Sequence, residues 1–307
     1  MGFSNDKIRI GPPSVDRDRF IVERNGRQVK GKRHEIPKFL ADMGLNLYEY
    51  NAGRGFKFKK RDHLRRFREE AEKNDVMITV HGPYYISLCS DTPKTLERSI
   101  DRIGELYQGA LWLGAKRAVF HPGGYGKKRT KEECLNIVIA SIKEGIRRVE
   151  ERYPEEYKEF RNIALCPETA GKHGSLGDLD EIITICKEIG TDRCIPTIDF
   201  GHIYAYSIGK MTDKTQFLKV FEKIEAALGT EVASNLHIHY SRIEYTQAGE
   251  KMHHVNGETS WGPEFEPIID IIMECGYTPT IVNESPNLEE DAKMLMDIYR
   301  KRKDKSI

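Results

Sequence analysis

Six apolar stretches of this chain run into a histidine or a carboxylate, and these polar residues are the ones equipped for chemistry. Val76 to Val80 meets His81, Ala118 to Phe120 meets His121, and Ile163 to Pro167 meets Glu168. Cys194 to Ile198 meets Asp199, with His202 just beyond; Asn235 opens a run that holds His237, and Thr280 to Asn283 meets Glu284. Imidazole and carboxylate are ligands for zinc, manganese or iron, and crowded carboxylates stay ionised only with cations between them. A mixed oxygen and nitrogen set without thiolates suits a hydrolytic centre of at least two ions better than a structural zinc site.

For that chemistry the residues must converge. Short continuous apolar runs closed by Pro or Gly are the mark of buried parallel strands. Two more such runs come earlier, Lys7 to Ile10 ahead of Gly11-Pro12-Pro13, and Leu47 to Tyr50. Between the runs lie helical segments. Thr92-Pro93 starts one that Gly114 stops, Thr130 to Arg152 is a long one, and Asp178 to Ile189 closes at Gly190. Eight strands alternating with helices predict an α/β fold, a (β/α)8 TIM barrel, in which active sites form at the carboxyl ends of the strands. No linker or low-complexity tract interrupts the 307 residues. The expectation is a single domain over 1–307 with an elaborated basic loop at about 12–34, where Asn25-Gly26 predicts a hairpin turn.

The 49 Lys and Arg nearly balance the 48 Asp and Glu, so overall charge selects no polyanionic partner and local clusters must decide. Six cysteines without a CxxC pair fit reduced thiols rather than a disulfide framework. The polar start, Met-Gly-Phe-Ser-Asn-Asp-Lys, has no apolar leader segment, and no run is long enough to cross a bilayer; a cytoplasmic protein without membrane association is expected.

His81-Gly-Pro-Tyr84, His121-Pro-Gly, Pro167-Glu168-Thr-Ala-Gly, Ile198-Asp199-Phe-Gly-His202 and Glu284-Ser-Pro together resemble the successive motifs of the endonuclease IV family. These are zinc-dependent nucleases acting at abasic sites in DNA, within the xylose isomerase-like barrel superfamily. The resemblance runs in order from about residue 76 to 286. It implies hydrolysis of the phosphodiester 5′ to an abasic or damaged site, with two or three Zn2+ ions (Mn2+ as the alternative) and no protein partner. Carried over residue by residue, His81 and His121 would hold one zinc and Glu168 would bridge to a second, completed by Asp199, His237 and Glu284. His202 and His253 would hold a third, and Glu168 and Glu284 would be catalytic, positioning the attacking water. Several departures mark a divergent member: His237-Ile-His239-Tyr240 stands where the family has His-x-Asn-Asp, and Asn256-Gly257-Glu258 where it has Gly-Glu-Gly. Lys251 stands where the family has an aspartate ligand, with Glu250 the adjacent carboxylate that could replace it, and the first strand ends without the family's histidine.

The loop from Asn51 to Arg61 is basic, and Arg54, Lys57, Lys59 and Tyr84 are the expected DNA-binding residues, with Phe56 and Phe58 able to stack on bases. A divalent-metal sugar isomerase or epimerase of the same superfamily is the alternative; it needs only Glu168, Asp199, His237 and Glu284 around one ion. A metal-dependent nucleic-acid binder without catalysis ranks third, because an intact ligand set calls for chemistry.

Overall fold

Eight short parallel strands form the centre of the computed structural model, which describes residues 5–56 and 61–305. They are β1 (Arg9–Gly11), β2 (Leu47–Asn51), β3 (Met77–His81), β4 (Arg117–Phe120), β5 (Ala164–Pro167), β6 (Thr197–Asp199), β7 (His237–Tyr240) and β8 (Thr280–Asn283). β2-β3-β4-β5 and β1-β8-β7-β6 are two continuous four-stranded arcs. Bridges Leu165 to Cys194 and Glu168 to Thr197 close one gap. At the other, the amides of Asn46 and Glu49 donate to Ile10 O and Pro12 O at 3.3 and 3.1 Å. The ring leaves no free sheet edge, as a barrel requires.

Helices α1 (Ile36–Asp42), α2 (Arg61–Lys73), α3 (Pro93–Leu113), α4 (Lys131–Arg152), α5 (Leu179–Ile189), α6 (Lys214–Leu228), α7 (Glu266–Glu274) and α8 (Leu288–Lys305) cover the strands. Ile103, Leu106, Tyr107, Ala110 and Leu113 recur at helical spacing and are buried on one face of α3. Each large apolar side chain so buried contributes roughly 1.5–3 kcal/mol. The boundaries follow the expected signals. Thr130 caps α4 and exchanges hydrogen bonds with Glu133, Pro93 sits in the first turn of α3, and Gly114 ends it at φ 66°. None of the helices is long and apolar enough to cross a membrane among the described residues.

Three features differ from the sequence expectation or lie beyond it. Strand β6 begins at Thr197 rather than Cys194, because Pro196 has no N–H to donate to the ladder. β7 starts at His237, two residues later than expected, and is followed by an antiparallel hairpin, Arg242–Thr246 with Gly249–His254. A short helix, Phe200–Tyr206, follows β6 directly. The expected turn at Asn25-Gly26 does join a hairpin, Ile21–Arg24 with Arg27–Lys30, both turn residues having positive φ.

Candidate metal centre

The carboxyl ends of the strands bring the predicted polar residues together in a chamber at one mouth of the barrel. Glu168 is fully buried there, its amide donating to Phe120 O at 3.0 Å, and its carboxylate is the hub. His81 Nε2 lies 3.1 Å and His121 Nε2 3.3 Å from the same oxygen, Oε2. His81 Nδ1 faces Gly82 O at 3.0 Å, and since a carbonyl can only accept, that nitrogen carries the ring proton of the neutral imidazole. Its Nε2 lone pair is then aimed at a carboxylate, an arrangement that calls for a cation or a second proton between them.

Asp199 ends β6 and caps the short helix: Oδ1 accepts from the His202 amide at 2.8 Å. Its other oxygen, Oδ2, is buried without a hydrogen-bond partner among the described residues and lies 3.4 Å from His202 Nδ1. A buried carboxylate oxygen without a hydrogen bond is costly unless a positive charge, such as a protonated His202 or a cation, meets it. The cap also sets His202, one turn on, whose Nδ1–H donates to Thr169 O at 2.9 Å and so leaves Nε2 as the ligating atom, 3.5 Å from Glu250.

Four groups result among the described residues in which the donor atoms lie within 4.8 Å of one another: His81, His121 and Glu168; Glu168, Asp199, His239 and Glu284; His202, Glu250 and His253; and, one layer deeper, Glu49, His237 and His239. Glu168 belongs to two of them. The first three of these groups hold seven of the eight residues expected as ligands, and their imidazoles and carboxylates are a donor set suited to divalent cations.

The exception is His237, whose place beside Asp199 and Glu284 is taken by His239. The reason is register: β7 pairs with β6 so that Thr197 is opposite His237 and Asp199 opposite His239. Both histidines point into the barrel, but His237 is one layer deeper. There its Nε2 meets Glu49 Oε2 at 3.0 Å while Nδ1 meets Thr280 Oγ1 at 2.6 Å. Glu49, fully buried, also contacts His239 Nε2 at 3.1 Å and accepts from Thr79 Oγ1 at 3.0 Å. A carboxylate behind a metal-facing histidine fixes its tautomer and strengthens it as a ligand. Glu49 and His239 were missed in the sequence, although an acid within the apolar run of β2 and the pattern His237-Ile-His239 were both visible signals.

Lys251 does not enter the chamber; its ammonium pairs with Glu244 on the outer side of the hairpin. The pairing shifts between Glu244 and Tyr245, so that Glu244 opposes Met252 and Tyr245 opposes Glu250. Lys251 is thus the extra residue of a bulge. In a regular strand Glu250 and His253 would face opposite sides; the bulge turns both toward His202.

Of the expected DNA-binding residues, Tyr84 is 66% exposed, its ring 5.9 Å from that of His81, and Arg54 lines an adjoining cavity. Lys57 and Lys59, with Phe58, lie outside the described residues. Phe56 is not free to stack on a base, because it packs on Tyr50 with centroids 6.1 Å apart and closes against Gly109 of α3.

The charges of the chamber depend on one another. Burial alone would lower the His81 pKa, but Glu168 beside it, with Glu49 and Glu284 further off, outweighs burial and raises it to about 9. Burial likewise works against charge on His239 and His202, yet the surrounding carboxylates hold both well above the usual histidine range. Burial would raise Glu168, and the neighbouring histidines instead hold it well below the carboxylate range. In chelator-stripped protein these histidines keep their protons at neutral pH and must lose them to bind a cation. Zn2+ affinity should therefore be weakest in acid and rise as pH climbs toward about 9, where His81 deprotonates. Competition against a chelator of known pH behaviour measures this, and an affinity flat from pH 6 to about 9 would contradict it.

The chain belongs to the xylose isomerase-like TIM barrel family, whose sequence profile matches residues 37–302. It is 35% identical over 260 residues to the uncharacterized protein MJ0133 of Methanocaldococcus jannaschii, covering 85% of this chain and 89% of that one. It is 25% identical over 256 residues to a probable endonuclease 4 of Mycoplasmopsis agalactiae, covering 78% and 82%. Among solved structures, a D-tagatose 3-epimerase-like protein matches with a TM-score of 0.66 at 20% identity, covering 87% of this chain and 91% of that one. Endonuclease IV from Thermus thermophilus matches with a TM-score of 0.61 at 15% identity, covering 90% and 96%. The fold is thus shared by nucleases and sugar epimerases, and the protein is an enzyme of this superfamily whose specificity must be argued from its site.

Proposed function

We propose that the protein is a metal-dependent phosphodiesterase, an endonuclease IV-like hydrolase that cuts DNA on the 5′ side of abasic sites. The observation that carries this reading is the adjacency of three ligand groups around Glu168. A sugar epimerase needs one ion and the Glu168, Asp199, His239 and Glu284 group; it has no use for the His81 with His121 pair or for His202, Glu250 and His253. Bound divalent cations would lower the pKa of water to about 7 and stabilise charge on the phosphate and leaving oxygens.

The chain's own residues do the rest. His81, His121 and Glu168 hold one side of the chamber, and Glu168 with Glu284 orients the attacking water for in-line approach. Asp199 and His239 complete the second group, and His202, Glu250 and His253 a third facing the leaving side. Tyr84 and Arg54 border the mouth, where a strand of DNA would enter. Zinc is the cation we assign, two or three ions, with manganese the alternative. The cytoplasm is the compartment that its unpaired cysteines suit, five of the six being buried.

Incubating the zinc- or manganese-loaded protein with a duplex that carries one abasic-site analogue should yield a single cut 5′ to the lesion, and chelation should abolish it. Absence of cleavage with either metal and across salt concentrations would reject the nuclease reading. The same protein would then be assayed on ketoses, because its four-residue group suffices for proton relay beside one ion.

A further inference from the structure

Beside the metal chamber lies a second cavity, of about 680 Å3, walled by Arg17, Arg33, Tyr50, Asn51, Arg54 and Tyr84 among others. Among the described residues no carboxylate lines it, in a chain where acids are almost as numerous as bases. Three other cations of the segment that carries Arg17 and Arg33 are neutralised: Arg19 pairs with Glu289, Arg24 with Glu35 and Lys30 with Asp18. Arg17, Arg33 and Arg54 make no ion pair among the described residues. The Arg33 guanidinium lies over the Tyr50 ring, 4.0 Å from its centroid, which holds its plane while leaving its charge uncompensated.

The partition between the two cavities is ordered and shared. Asn51 and Tyr84 line both, and Asn51 Nδ2 donates to Tyr84 Oη at 2.6 Å while its Oδ1 accepts from the Gly53 amide at 2.7 Å. A ligand that reaches past Tyr84 would have one group over the metal ligands and another among the arginines. Arg17 and Arg33 come from the segment between β1 and α1, ahead of the residues that the family profile matches.

We propose that this cavity is a phosphate subsite, which binds a non-reacting phosphate of the substrate whose reacting group lies at the metal centre. Guanidinium groups match phosphate oxygens in pairs, and the volume lies within the roughly 300–1,000 Å3 of small-ligand pockets. The phosphate could belong to the next nucleotide of a nucleic-acid strand or to a phosphorylated sugar, and a neutral ketose would leave the arginines idle. The first of these sources rests on the phosphodiesterase reading; the subsite itself does not.

The test compares metal-loaded wild type with the Arg17→Ala/Arg33→Ala and Arg17→Lys/Arg33→Lys pairs, after metal content and melting temperature have confirmed that each variant is folded and loaded. The probes are a labelled oligonucleotide with an abasic analogue, a ketohexose phosphate and the free ketohexose. The alanine pair should bind the phosphate-bearing substrate at least about tenfold more weakly, with the lysine pair in between. For the oligonucleotide, the slope of log affinity against log salt should flatten by about 1 to 2 as up to two phosphate contacts are lost. Loss with the oligonucleotide assigns the strand as the source. Loss with the sugar phosphate alone keeps the subsite and rejects the nuclease reading. Unchanged binding of both phosphate probes in the alanine pair, or no binding of either by wild type, overturns the subsite even if incision is observed.

Discussion

Glu168→Gln should reduce incision by about three orders of magnitude, corresponding to roughly 4 kcal/mol of transition-state stabilisation. The substitution keeps the shape of the side chain and removes its charge. Glu168 joins two of the ligand groups of the chamber, and His81, His121, His202 and His239 all face its oxygens. Removing the charge weakens two cation sites at once and leaves a row of histidines without their counter-ion. In stripped protein His81 should then titrate well below about 9, because the carboxylate that raises it is gone. The measurements are single-turnover cleavage with saturating metal, metal content by elemental analysis, and imidazole titration by NMR. Wild-type cleavage by the variant would mean that the chemistry takes place elsewhere on the molecule.

Two neighbouring histidines should respond very differently to the same change. His239→Ala removes a donor from the group that holds Glu168, Asp199 and Glu284, and should cost most of the activity and one equivalent of bound metal. His237→Ala removes a partner of Glu49 and Thr280, one layer below, and no member of that group. Loss of such an outer contact typically weakens metal binding by about 10–100-fold without removing the site. High metal concentration should therefore restore the His237 variant and leave the His239 variant impaired. The reverse order would place the ligand at His237 and refute the register between β6 and β7 as the basis of the assignment.

This pair also marks where sequence reading stops. Apolar runs ending in polar residues revealed the barrel and most of its chamber, because a strand buried on both faces leaves a pattern that needs no partner to be recognised. Alternation along a strand tells which side chains point inward, but His237 and His239 both do. Their height in the barrel depends on pairing with Asp199, a residue 40 positions away in the chain from His239. Glu49 was hidden for a similar reason, since an acid in an apolar strand acquires meaning only when histidines from across the barrel meet it. Lys251 looked like a lost ligand because a bulge, which changes the face presented by every residue after it, has no signature in residue types.

The divided carboxylate of Asp199 has a mechanical consequence. One oxygen closes the first turn of the helix Phe200–Tyr206 and the other points at the chamber, while His202 hangs from that same turn. A cation drawn to that second oxygen, which lies 3.4 Å from His202 Nδ1, would brace the turn from below and hold His202 at a set height over its neighbours. Filling the central group would thereby prepare the outer one, and the centre would load from the inside outward.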